Sequence, residues 1–122
     1  YESPADTGVN NVYDITIAFS DGTNDLSAQT TAVTVTDVND QTPAVSVAAT
    51  YSQAEATATT FQTYTITDSD TTGTYTCTLA GDDAADFSAS ISAKVCTVVW
   101  AAAPDYESPA DTGVNNVYDI TI

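Results

Sequence analysis

Phe61-Gln62-Thr63-Tyr64-Thr65-Ile66-Thr67, followed shortly by Thr74-Tyr75-Thr76-Cys77-Thr78-Leu79, decides the fold class. Tyr64 and Ile66 share one face of the first run, and Tyr75, Cys77 and Leu79 share one face of the second, with Thr between them. A period of two is that of a strand with one buried face. The same rhythm extends outward to Val45 and Val47, to Val95–Trp100 with Cys96, Val98 and Trp100 on one side, and to Tyr13, Ile15 and Ile17. Val33 and Val35 mark a further strand, and Asp21-Gly22 reads as the hairpin turn that leads to it. The only helix-like piece, Gly81 to Asp86, is too short for more than a turn. About seven strands in roughly 105 residues is the size of an antiparallel sandwich, so the expected fold is an all-β, seven-stranded Greek-key sandwich.

Residues 1 to 17, Tyr-Glu-Ser-Pro-Ala-Asp-Thr-Gly-Val-Asn-Asn-Val-Tyr-Asp-Ile-Thr-Ile, recur without one change as residues 106 to 122. The offset of 105 residues is domain-sized, too long for a solenoid repeat, and it predicts modules strung head to tail with that period. Residues 1–40 then supply the C-terminal strands of one repeat with its linker. Residues 41–122 supply most of the next, with 106–122 duplicating 1–17.

The 122 residues carry 17 Asp and Glu against one Lys, with no Arg or His, for a formal charge of −16. A chain whose single base is Lys94 cannot neutralise phosphates, which argues against nucleic acid and anionic membrane surfaces as partners. Lacking His, it also lacks the usual general base and the commonest ligand of zinc, copper and iron. Only 15% of residues are charged and 43% are hydrophobic, a globular composition rather than a disordered acidic tail. An acidic skin kept for solubility and a set of cation ligands both remain open readings of that charge. No stretch approaches the roughly 18 consecutive apolar residues of a membrane span.

Cys77 and Cys96 both fall on inward faces of their runs. A bond between them would staple the sheets and contribute on the order of 3 kcal/mol; packing as two small hydrophobic thiols is the other reading. An even count favours an oxidising compartment.

The acids concentrate at strand ends: Asp37, Asn39 and Asp40 between modules, Asp68 and Asp70 after one strand, Asp105 and Glu107 after another, Glu55 before the Phe61 strand and Asp21 at the hairpin. In a sandwich the strand ends gather at the poles, where crowded carboxylates repel without a cation. About six to eight oxygens from Asp, Glu, Asn and carbonyls is what Ca2+ takes.

Taken in order, these residues resemble cadherin repeats. Asp37-Val38-Asn39-Asp40-Gln41 before Pro43 is similar to the Asp-x-Asn-Asp-Asn linker, Asp68-Ser69-Asp70 to the Asp-x-Asp, and Asp105-Tyr106-Glu107 to the Asp-Arg-Glu. Glu55 resembles the first-strand Glu, and Ala18 to Gly22 the Ala-x-Asp-x-Gly near the domain end. The stretch from Gly81 to Glu107 is similar to cadherin-like modules of large bacterial adhesins. Gln41 replaces a final Asn and Tyr106 an Arg.

The resemblance implies Ca2+ at each junction. Glu2, Asp37, Asn39, Asp40, Asp68 and Asp70 are expected to gather near residue 40, while Glu55, Asp105 and Glu107 belong to the next junction and need a neighbouring repeat to complete it. Asp40 is expected to bridge ions. The function implied is a non-enzymatic extender or adhesion repeat of a long extracellular or cell-surface protein or filament, in contact with identical repeats in tandem or on neighbouring chains. A calcium-assisted carbohydrate-binding module, with Tyr or Trp stacking on sugars, and a self-assembling filament subunit completed by neighbouring chains are the alternatives.

Overall fold

The computed structural model describes residues 1–48, 50–56 and 60–122. Two compact units divide the chain, Tyr1–Gln41 with Ser69–Gly73, and Thr42–Asp68 with Thr74–Ile122. The short Ser69–Gly73 loop joins the first unit.

The first unit is built on an antiparallel hairpin of β1 (Val12–Ser20) and β2 (Asp25–Thr34). Tyr13 faces Val33, Ile15 faces Thr31 and Ile17 faces Gln29; an irregularity then shifts the register so that Phe19 faces Leu26. The turn falls where the Asp-Gly pair predicts one, as a loop of residues 21–24 between the paired Ser20 and Asp25. Gly22 takes φ +91, and Asp21 Oδ1 accepts the amides of Thr23 at 2.9 Å and Asn24 at 2.7 Å. Ahead of β1, the Asp6 carboxylate accepts the amides of Asn10 and Asn11 and so holds the loop entering the strand.

The second unit carries a four-stranded antiparallel sheet in the order β3-β4-β6-β5, from β3 (Ala44–Val45), β4 (Thr60–Thr67), β5 (Phe87–Ser92) and β6 (Val95–Trp100). Tyr64 faces Cys96, Cys96 faces Ile91, and Val98 faces Ala89, so one side of the sheet is apolar. Tyr64, Phe87, Cys96 and Val98 form the buried core, with Phe61, Cys77, Leu79, Trp100, Tyr118 and Ile120 packed against it. Edge-on ring contacts join Phe61 to Trp100 at 5.9 Å and Trp100 to Tyr118 at 4.9 Å. A disulfide joins Cys77 to Cys96 with Cα atoms 5.9 Å apart, which ties the Thr74–Leu79 run onto the sheet. The chain is thus all-β with antiparallel sheets, an arrangement consistent with a sandwich.

Three elements differ from the sequence reading, the first being Tyr118, Ile120 and Ile122, where the copy of the Tyr13 strand is expected to return as a strand but has only the isolated bridge of Thr121 to Ala80. Thr74 to Leu79 has the expected alternation, with Tyr75, Cys77 and Leu79 half-buried and the Thr residues exposed, yet it forms no ladder. Among the described residues its paired neighbour is the bridge between Ala80 and Thr121, so the run is extended without being zipped along its length. Conversely, β5 is a strand that the sequence reading passed over. Between them, Ala84–Asp86 forms the short 3-10 turn expected in that region.

Candidate metal centre

Two carboxylate triples stand out among the described residues, and both are made of acids the sequence had singled out. Oxygens of Glu2, Asp37 and Asp70 lie within 4.8 Å of one another in the first unit, as do oxygens of Glu55, Asp105 and Glu107 in the second. Calcium bonds of roughly 2.3–2.6 Å place ligand oxygens at most about 5 Å apart, so either spacing fits that ion.

In the first triple, Asp70 is fully buried and its Oδ2 accepts the Gln41 amide at 2.8 Å. Asp37 follows β2 and reaches the Ser69–Gly73 loop, where its Oδ2 accepts the Thr71 hydroxyl, the Thr71 amide at 2.6 Å and the Thr72 amide at 3.1 Å. The Thr71 hydroxyl first, then these amides, hold the Asp37 carboxyl below its ordinary value against an opposing effect of burial. Its other oxygen, Oδ1, is buried and meets no hydrogen-bond donor among the described residues. A buried carboxylate oxygen without a donor is costly, and a hard cation is one partner that would satisfy it. Three acidic side chains and no nitrogen or sulfur donor are a ligand set of the kind hard cations such as calcium take.

The second triple is more open, with all three residues exposed. Glu55 Oε2 accepts the Tyr106 amide at 3.0 Å, and Asp105 Oδ1 accepts the Glu107 and Ser108 amides at 3.1 Å each. Backbone donors thus hold two of the three carboxylates in place.

Of the remaining candidates, the acids Asp68, Asp40 and Asp21 lie outside the two triples. Asp68 lies in the second unit, where its Oδ2 accepts the Tyr75 hydroxyl at 3.0 Å and its carbonyl accepts Lys94 Nζ at 2.8 Å. Asp40 Oδ1 accepts Gln41 Nε2 at 2.7 Å, and Asn39 lies where a Cβ on Gly73 would come within 3.6 Å of its side chain. Asp21 caps the β1–β2 turn, and its carboxyl is lowered chiefly by the Asn24 amide.

Sequence reasoning missed three buried acids, Asp6, Asp83 and Asp111. Asp6 and its copy Asp111 each accept the amides four and five residues ahead, Asn10 and Asn11 in one case and Asn115 and Asn116 in the other. Asp83 accepts the amides of Thr112 and Asp119 at 2.7 Å each. The signal available was the run from Asp6 to Asn11, an acid followed by turn-forming residues; Val9 and Asn11 take φ 50 and 62 there, as do Val114 and Asn116 in the copy. In a chain with one Lys, backbone N–H groups do the neutralising that bases do elsewhere.

Compared with protein-family models, with characterised proteins and with solved structures, the chain matches none. No helix among the described residues is long and apolar enough to cross a membrane.

Proposed function

We propose that the chain is a calcium-rigidified structural repeat of a long extracellular or surface protein, a cadherin-like sandwich of seven strands recurring every 105 residues. One observation carries this reading: Glu107 is the copy of Glu2, and each belongs to a carboxylate triple. Placed on that common residue, the two triples become complementary halves of one junction, with Glu55 and Asp105 from the preceding repeat and Asp37 and Asp70 from the linker and the following one. Five carboxylates around one point repel strongly without a cation, and with calcium they become ligands that restrict the hinge between repeats. The disulfide agrees with an oxidising, extracellular setting. The role is mechanical, giving length and stiffness, with no reaction catalysed. Trp100 packs among Phe61, Phe87 and Tyr118, which favours this reading over sugar stacking.

Calcium titration of metal-free protein tests it. Millimolar Ca2+ should raise the melting temperature and slow proteolysis near residues 37–41, and Mg2+ at the same concentration should do markedly less. An unchanged melting curve and digestion pattern at millimolar Ca2+ would sink the proposal.

A further inference from the structure

An aromatic cleft in the second unit is left without a use by the calcium reading. Its volume is about 790 Å³, and its lining comes from the second unit alone, chiefly Tyr51, Gln53, Glu55, Phe61, Trp100 and Tyr106. That size falls within the roughly 300–1,000 Å³ of small-molecule sites, which combine apolar and aromatic walls with a few polar groups. Tyr51 and Tyr106 are 49% and 66% exposed, so two of the rings are open to water.

The rings stand as walls rather than as a stack. Tyr51 and Phe61 lie 4.7 Å apart with their planes turned by 76°, and Phe61 and Trp100 lie 5.9 Å apart with their planes turned by 82°. Rings set near right angles line a space from different sides, and the face of each carries the negative part of its quadrupole. Trp100 donates its Nε1–H to Gln53 Oε1 at 3.0 Å, so what the indole offers a ligand is ring surface rather than a donor.

The charge of the lining has one sign. Glu55 and Asp119 line the cleft, and the chain's single base, Lys94, does not. Glu55 Oε2 accepts the Tyr106 amide at 3.0 Å, which fixes the carboxylate in place. Aromatic faces and carboxylates attract the same class of partner, a cation, and the carboxylates repel an anion. A compact ammonium such as that of lysine is strongly hydrated and costly to dry. An alkylated one carries methyl groups that also bury apolar surface against the rings.

We propose that this cleft binds a quaternary ammonium group, a cation of the choline type, with Tyr51, Phe61 and Trp100 supplying ring faces and Glu55 the counter-charge. The site gives a repeat otherwise read as mechanical a ligand of its own. It goes beyond the calcium reading and needs no metal. Because Glu55 also belongs to a carboxylate triple, the test is run in chelator, where a failure of the calcium reading leaves the result unaffected.

Trp100 is the chain's single tryptophan and lines the cleft, so its fluorescence reports a ligand there. The full chain is titrated at constant ionic strength with choline and, separately, with its neutral isostere in which carbon replaces the nitrogen. Saturation-transfer NMR of the ligand methyl groups is the second readout. Choline should bind at least about fivefold more tightly than the isostere, which keeps the shape and loses the charge. Tyr51→Leu, at a half-exposed ring, should weaken choline binding by about two- to fivefold and leave the isostere little changed. Glu55→Gln, at an exposed carboxylate, should weaken it by about twofold. Phosphocholine separates the sources of the cation. Binding as tight as that of choline supports the proposal with a lipid head group as ligand, and weaker binding, expected from repulsion between its phosphate and Glu55, supports it with a free cation. Equal affinity for choline and the neutral isostere overturns the cation assignment, as does binding of glucose where choline does not bind. No response to choline in either readout at tens of millimolar overturns the site itself.

Discussion

Asp83 and Asp119 are both acids, and they lie side by side with Asp83 Oδ2 2.7 Å from the Asp119 backbone nitrogen. One contributes its carboxylate and the other its amide, and the Thr112 amide completes the arrangement from the other oxygen at 2.7 Å. Asp83→Ala strips two amides of their acceptor and should lower the melting temperature by several degrees. Because neither amide belongs to the four-stranded sheet, the loss should localise. Hydrogen exchange should accelerate at residues 112–121 while Tyr64, Cys96 and Val98 stay protected. Uniform acceleration across the second unit would contradict this.

Acid should destabilise the protein in a defined window. The Asp6, Asp21, Asp37 and Asp83 carboxyls are all held below their ordinary value, chiefly by the Asn10 amide, the Asn24 amide, the Thr71 hydroxyl and the Thr112 amide respectively. A depressed folded value means that the unfolded chain binds protons first as pH falls. The stabilisation is therefore complete above the ordinary Asp value of about 4 and is lost as pH drops through the lower folded values. Melting in chelator should be nearly flat from pH 7 down to about 5 and fall steeply below about 4. A decline beginning near neutrality would point to other groups.

What could be seen in the sequence depended on whether a residue's role is local. The β1–β2 turn was legible from Asp21-Gly22 because turn geometry is a property of those residues themselves. The strand β5, Phe87-Ser88-Ala89-Ser90-Ile91-Ser92, alternates perfectly but is made half of Ser and contains Ala, both poor strand signals; pairing with Val95–Trp100 makes it a strand. Tyr13, Ile15 and Ile17 were legible as one face, but Tyr13 and Ile15 are exposed while their copies Tyr118 and Ile120 pack against the core, and Ile17 and its copy Ile122 are both exposed. No propensity distinguishes them, since the difference lies in the neighbour. At the candidate metal centre, the resemblance to cadherin repeats pointed to the six acids that meet in the two triples, whereas the buried caps Asp6, Asp83 and Asp111 are defined by backbone amides that only the folded chain brings near.

Gly81 is the glycine whose replacement should cost most. Its φ of +105 disfavours any side chain, and the Cβ of Ala would meet the Asp119 carbonyl oxygen at 2.4 Å, a backbone atom with no rotamer to change. Gly81→Ala should destabilise by about 1–3 kcal/mol and release residues 117–122 from their bridge to Ala80 and hydrogen bond to Asp83. Gly22→Ala, where nothing lies within 4 Å, removes only the freedom to take φ +91 and should cost less. Urea denaturation of the two variants, compared with hydrogen exchange at Thr121, checks the ranking.

Reducing the Cys77–Cys96 bond releases a loop of sequence separation 19, for which chain entropy gives about 3 kcal/mol. Among the described residues, Thr74 to Leu79 has only the Ala80–Thr121 bridge beside it as backbone pairing, so this run should loosen first. Paired denaturation curves with and without reductant should show the loss, and hydrogen exchange should place it at residues 74–80. Equal midpoints would mean that burial of Cys77, Leu79 and Tyr75 holds the run by itself.

Calcium affinity should depend on the triple acids more than on the other linker residues. Asp70 is fully buried with an oxygen in the triple, and Asp37 brings a buried oxygen with no donor; Asp40 spends one oxygen on its neighbour Gln41 and lies outside both triples. Asp37→Asn and Asp70→Asn each remove a charge from the ion's immediate ligands and should weaken calcium binding by about tenfold or more, whereas Asp40→Asn acts at longer range and should cost less. The metal-free proteins should respond in the opposite sense, because taking one charge from three clustered carboxylates relieves repulsion. Titration calorimetry gives the affinities, and melting in chelator gives the metal-free stabilities. If Asp40→Asn proves the most damaging to affinity, the ion is centred on the linker instead of on Glu2, Asp37 and Asp70.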